Sequence, residues 1–354
     1  MRLLWLIEVP IPVLWGFETL INFGVITAGT VFTALWFFQD KLIYMASLPQ
    51  GSRDNVMTPD QSHMPDYESV VLTTPDNVKI TGYAIKYRPQ LELLANPSED
   101  PSASLRLRKP NGKQHDVAEY TLLYLHANAG NMGHRLPLAR VIRHKAKMNV
   151  FMLSYRGYGK SEGVASENGI KIDSQAALDW IANHEELGKT KIVLYGQSIG
   201  GAVAIDLASR NPDRIFAVVI ENTFLSLPKL IPSVIPLFKQ VIFLCQQIWD
   251  SETAVQTIPA SVPMLFLSGG SDELIPQRHM IELVKTARRS RGGKKESTEE
   301  LKDGNKYGET LVRDKNGIRW VEFANGGHND TCMQAGYFDE IDVFLKELFE
   351  KAKF

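Results

Sequence analysis

The sequence predicts an α/β fold: a mostly parallel sheet with helices on both faces, preceded by an N-terminal apolar helix. Three observations carry this. From Tyr120 onward, short continuous apolar runs alternate with amphipathic helical stretches, the pattern of strands buried on both faces. The chain has 354 residues, 44% of them hydrophobic, enough to bury one large core. A 20-residue uncharged stretch at 19–38 stands outside the alternation.

That stretch, "TLINFGVITAGTVFTALWFF", would measure about 30 Å as a helix, the thickness of bilayer hydrocarbon. Trp15, Trp36, Phe37 and Phe38 lie at its ends, where aromatic rings favour the membrane interface. A cleaved signal peptide should carry a basic leader and a shorter apolar core; here only Arg2 is basic, and Glu8 and Glu18 interrupt the approach. A buried core helix is the other reading, but no helix of similar apolarity follows to partner it. Residues 1–40 are therefore expected to be an uncleaved single-pass anchor. Arg2 on one side and Lys41 and Arg53 on the other give little positive-inside bias.

Residues 41–66, with "ASLPQGSRDN", read as a connector, and 67–354 as the catalytic-type domain. "ESVVLTT" and "VKITGYAIKY" flank Pro75-Asp76-Asn77, a hairpin signal that places antiparallel strands at one sheet edge. Residues 96–117 are polar and turn-rich and read as a loop. Then come strand-like runs "YTLLYLHA", "NVFMLSY", "KIVLYG", "IFAVVIEN", "VPMLFLSGG" and "IRWVEFANGG", separated by predicted helices near 133–145, 171–184, 198–209, 277–286 and 336–351. Two insertions interrupt the series. Residues 223–260 include an apolar stretch from Leu227 to Trp249 with prolines at 228, 232 and 236, readable as a small cap or lid, or as a buried packing helix. Residues 286–316 are polar with a basic start and read as a solvated loop.

A net charge of −1 argues against nucleic-acid binding by overall charge. The basic run from Arg288 to Lys295 is largely cancelled by the neighbouring "ESTEEL", so it does not restore that reading. Cys245 and Cys332, the only cysteines, cannot form a disulfide framework, and no spacing suggests a metal or a cofactor.

The chemistry sits around Gly196-Gln197-Ser198-Ile199-Gly200, with Gly201 following. A G-x-S-x-G sequence between an apolar strand and an Ala-rich helix start is a nucleophile elbow: the sharp turn leaves no room for side chains around the serine. The helix N-terminus then favours developing negative charge near Ser198. A serine hydroxyl needs a base, and the base an orienting acid, in the order Ser, Asp/Glu, His. Asp272 follows "MLFLSGGS", and His328 lies in the loop after "VEFA". Glu221, ending an earlier strand, is the rival acid. Asp330 is too close to His328 in sequence and would instead brace its loop; His126 and His134 read as loop shapers. The oxyanion donors expected are the backbone N–H groups of Ile199 and, from the loop "HANAGN", Asn128.

"LYLHANAGNMGHRLP", "SYRGYGKSEGVASENGI", "LYGQSIGGAVAIDLA", "ENTFLSLPKL", "GGSDELIP" and "GGHNDT" resemble the α/β-hydrolases. More narrowly they are similar to the membrane-anchored group that includes alpha/beta hydrolase domain-containing protein 13 and its fungal and plant relatives. The resemblance runs from about Trp36 to the end. It implies an α/β-hydrolase fold, an N-terminal signal-anchor, and Ser198, Asp272 and His328 as nucleophile, acid and base. It also implies that "YRGYGKSEG" is a family loop and not a phosphate-binding motif. One departure stands out: relatives usually have His-Gly-Asn where this chain has His126-Ala127-Asn128, and alanine there requires a negative φ.

The expectation is a serine hydrolase in an endomembrane or the plasma membrane. It would act through an acyl-enzyme on an ester or thioester of an apolar acyl chain, in a lipid or an acylated protein. By analogy with depalmitoylating hydrolases that have an equally small cap, protein thioesters are included. A membrane-anchored scaffold with a residual site, and a serine peptidase, are the alternatives.

Overall fold

The structure is a computed structural model that describes residues 11–89, 117–293, 303–304, 310–313 and 316–353; the side chains of 303–304, 310–313 and part of the first helix before Trp36 are outside it. The polar loop expected at 96–117 lies almost wholly outside the described residues.

The sheet has ten strands in the order β1-β2-β4-β3-β5-β6-β7-β10-β9-β8. Six form its parallel centre: β3 (Tyr120–Leu125), β4 (Asn149–Ser154), β5 (Lys191–Gln197), β6 (Ile215–Glu221), β7 (Met264–Gly269) and β10 (Ile318–Phe323). The hairpin β1 (Tyr67–Thr73) and β2 (Lys79–Ile85) adds antiparallel strands at one edge, and Asn77 supplies the positive φ of its turn. The other edge departs from expectation. Within 286–316, β9 (Thr310–Arg313) pairs antiparallel with β10 and β8 (Asp303–Gly304) antiparallel with β9, so part of the insertion extends the sheet. The last strand would otherwise be an open edge with unpaired backbone groups.

Strands β3, β4 and β7 are buried at every residue, because successive side chains enter opposite layers. Leu122, Tyr124, Val150 and Met152 join one core with Leu136, Ile142, Ile341 and Phe344, from helices α2 (Leu136–Ala146) and α8 (Tyr337–Lys351). Leu123, Leu125, Phe151 and Leu153 join the other. There they meet α3 (Glu167–Asn183), α4 (Ile199–Arg210), α6 (Ser251–Thr257) and α7 (Arg278–Ser290), with α5 (Leu227–Val234) lying outside them. Ser166, Ser226 and Asp250 start α3, α5 and α6 by accepting from backbone N–H groups of the first turn. Helix α7 runs past the expected stop at 286 to Ser290, and α3 begins at Glu167.

Between β6 and β7, α5 buries Leu227 and Leu230 while the 3₁₀ segment Pro236–Leu244 buries nothing. The middle of this apolar stretch is thus outermost, with Leu237 77% and Phe243 73% exposed, while Leu227, Leu230 and Trp249 at its ends join the core.

Helix α1 spans Ile11–Ile43. Among the described residues, no helix is long and apolar enough to cross a membrane. Phe23, Ile26, Trp36, Phe37 and Phe38 of α1 are exposed. From Trp36 onward it docks on the domain: the Gln39 amide donates to the Leu244 carbonyl (3.2 Å) and accepts from the Gln246 N–H (2.7 Å), while Tyr44 bonds Gln247 and Trp249.

Candidate active site

Ser198 stands between β5 and α4 with φ 56° and ψ −122°. A non-glycine residue held there costs of order 1–3 kcal/mol, so the surroundings must enforce it. They do so through its neighbours. A Cβ on Gly196 would lie 2.1 Å from the Gly200 carbonyl oxygen, and one on Gly200 2.1 Å from that of Leu125. The Ser198 N–H donates to the Glu221 carbonyl (2.9 Å), and the Thr223 hydroxyl donates to the Ser198 carbonyl (2.7 Å). Strand ends β3, β5 and β6 together clamp the turn.

His328 lies in the loop after β10, with its Nε2 3.1 Å from Ser198 Oγ and its Nδ1 2.8 Å from Asp272 Oδ2. The imidazole and the Asp272 side chain are 7% and 2% exposed. The other Asp272 oxygen accepts from the Leu274 and Ile275 N–H groups, which fixes the carboxylate. A carboxylate facing Nδ1 selects the tautomer with its proton there and leaves Nε2 free to accept from the serine hydroxyl.

Glu221 is brought to a different place. Its carboxylate is fully buried and accepts from the Tyr337 (2.7 Å) and Tyr195 hydroxyls, away from His328 Nδ1. Burial raises its pKa above the usual glutamate value. Asp330 braces the loop by accepting from the Gly327 N–H (2.6 Å). His134 caps a short turn with Asn131. His126 packs against Tyr155 and Tyr158, and burial depresses its pKa to about 3, so the ring is neutral.

Ile199 opens α4, where a backbone N–H has no acceptor in the helix. Asn128 sits on the loop after β3, and its side chain has a role the sequence did not disclose. Its oxygen accepts from Met45 N–H (3.0 Å) and Tyr158 OH (2.6 Å), and its nitrogen donates to the Ile43 carbonyl. The loop is thereby tied both to the end of α1 and to "YRGYG". Ala127 is not among the positive-φ residues; the left-handed turn falls on Ala129 and Gly130, which is how alanine is accommodated at 127.

Sequence reasoning missed Asn222. Its φ is 43°, its oxygen accepts from Gly269 N–H (2.8 Å), and its nitrogen bonds the His328 carbonyl (3.2 Å) and Thr331 (2.9 Å). It joins the ends of β6 and β7 to the histidine loop. An asparagine directly after a buried strand was the available signal, since asparagine tolerates the left-handed region. Among the described residues, no three His, Cys, Asp or Glu side chains are placed to hold a metal.

The sequence from 120 to 243 matches the family profile described as alpha/beta hydrolase fold. Protein bem46 of Schizosaccharomyces pombe is 41% identical over 335 residues, 94% of either chain. The chain belongs to the α/β-hydrolase family. A Saccharomyces cerevisiae protein named as an uncharacterized membrane protein is 34% identical over 94% of this chain and 98% of its own. Among solved structures, the Pyrococcus furiosus esterase Pf2001 superposes with a TM-score of 0.57 at 18% identity, over 83% of this chain and 95% of that one. That likeness concerns the α/β-hydrolase fold.

Proposed function

We propose that this α/β-hydrolase is a membrane-anchored serine hydrolase that cleaves an ester or thioester of an apolar acyl chain. The observation that carries the proposal is His328 bridging Ser198 Oγ and Asp272 on a strained elbow. In the first half-reaction, His328 Nε2 takes the hydroxyl proton as Ser198 Oγ bonds to the acyl carbon. Asp272 holds the imidazole and stabilises its positive charge. The Ile199 and Asn128 backbone N–H groups are assigned to the tetrahedral oxyanion; losing one such donor costs about 10²–10³ in rate. His328 then protonates the departing alcohol or thiol. Water, activated by the same nitrogen, releases the acid and restores Ser198.

Membrane anchoring is assigned to α1. The uncharged stretch 19–38, the exposed Phe23, Ile26, Phe37 and Phe38, and the relative named as a membrane protein support it. The apolar outer layer at Leu237 and Phe243 supports an apolar substrate.

A fluorophosphonate probe tests the enzyme reading. Wild type should label and Ser198→Ala should not; equal labelling of both, or none of either, favours a scaffold with a residual site.

A further inference from the structure

The elbow motif leaves the residue before the serine open, and here it is Gln197, the last residue of β5. Gln197 is only 3% exposed, and its amide nitrogen donates to the His328 carbonyl (3.3 Å) and to Glu221 Oε1 (3.4 Å). Both neighbours are acceptors, so the nitrogen of the amide, not its oxygen, faces them. The other Glu221 oxygen accepts from the Tyr195 and Tyr337 hydroxyls, which holds the carboxylate in place beside the amide.

The main chain of His328 is held at both its N–H and its carbonyl. The N–H donates to Glu273 Oε2 (3.1 Å), and the carbonyl accepts from Asn222 (3.2 Å) as well as from Gln197. Asn222 also donates to the Gly327 carbonyl and the Thr331 hydroxyl, so it fixes the loop internally. Gln197 differs in belonging to the same turn as Ser198. The sheet pairs β5 with β3 and β6, and β10 with β7 and β9, so no strand pairing sets the nucleophile's strand against the loop of the base. The Ser198–His328 hydrogen bond is one contact across that gap, and the imidazole could pivot about it. The Gln197–His328 bond is a second, one residue away along the chain. Two contacts fix orientation where one fixes only distance.

We propose that Gln197 is a positioning residue: its amide holds the His328 main chain against the elbow, so that Nε2 stays aimed at Ser198 Oγ. The proposal rests on Ser198 and His328 being nucleophile and base, and adds that the residue before the serine aligns the pair. Because Gln197 acts through His328 and not on the substrate, its loss lowers turnover without weakening substrate binding.

The test is hydrolysis of p-nitrophenyl acetate by the full-length protein in detergent micelles, with Gln197→Met and Tyr337→Phe. Methionine keeps the volume and removes the donor; phenylalanine removes a partner of Glu221 and leaves the bond to His328 intact. The expected result is a kcat lower by about tenfold or more in Gln197→Met with KM within about twofold, and Tyr337→Phe within about twofold of wild type in both. The rate of fluorophosphonate labelling should fall with kcat. Equal losses in the two variants, no loss in either, or a change in KM alone overturns the role of Gln197, and Ser198 labelling at the wild-type rate then leaves the nucleophile assignment standing. Should Gln197→Met lack the wild-type circular dichroism spectrum, Gln197→Asn takes its place, with the amide kept but one methylene short. The same fall in kcat is expected, and wild-type kcat overturns the proposal. Wild type that neither cleaves the ester nor takes up the probe overturns the Ser198 assignment, and the role of Gln197 with it.

Discussion

At the residue scale, the two carboxylates near His328 differ in partner. Asp272 reaches Nδ1 and is pinned by two backbone N–H groups, whereas Glu221 is enclosed by tyrosines. Asp272→Asn should lower kcat by about 10⁴, because it removes the group that fixes the tautomer. Glu221→Gln should leave kcat within a fewfold. Ester hydrolysis by both variants checks this, and the reverse order would move the acid to Glu221. The raised Glu221 pKa also has a sign: a carboxyl raised by burial stabilises the fold at low pH and loses that contribution as pH rises through its folded pKa. Glu221→Gln should therefore flatten the decline in stability above the ordinary glutamate range, measured by urea unfolding from pH 4 to 9. Ser198 and His328 were legible because each has a local signature, an elbow between strand and helix and a loop after the last strand. Asn128 and Asn222 were not legible in the same way. Their work is done by side-chain hydrogen bonds to Ile43, Met45, His328 and Thr331, distant in sequence and brought close only by the fold.

At the element scale, β5, the elbow and α4 tolerate no added atom. Gly200→Ala would drive a Cβ to 2.1 Å from the Leu125 carbonyl oxygen, so β3 and α4 would have to separate. The expected cost is about 3 kcal/mol or more, read as a lowered melting temperature by circular dichroism. Asn128→Ala should cost about 1–3 kcal/mol, since it leaves several polar partners at the end of α1 unpaired. The parallel centre of the sheet was legible in the apolar runs, since strands covered on both faces leave no other pattern. The edge strands β8 and β9 were not: they lie in a polar stretch, and β9 pairs with the backbone edge that β10 would otherwise leave open, with β8 added to β9. The apolar stretch 227–249 was open between lid and core; its ends, with Leu227, Leu230 and Trp249, join the core, while Leu237 and Phe243 between them are exposed.

At the scale of the whole molecule, helix α1 and the hydrolase domain meet through residues from Trp36 onward. Deleting residues 1–30 should release the protein from membranes washed in alkaline carbonate while leaving that contact intact. Retention of the truncated chain in the pellet would contradict α1 as the anchor. Acid should also weaken the whole fold. His126 and His279 are buried with pKa values depressed to about 3 and about 4, so their neutral forms stabilise the fold above the ordinary histidine value, and this is lost as pH falls toward the folded values. Each adds roughly 1.4 kcal/mol per pH unit to the slope across that window, and His279→Gln should remove one such share.

Ser198, activated by His328, is proposed to form the covalent intermediate. The most direct measurement is peptide mass spectrometry of the full-length protein after fluorophosphonate treatment. The adduct should lie on the peptide carrying Ser198 and fall steeply in His328→Ala. An adduct on another residue, or one unaffected by loss of His328, would contradict it.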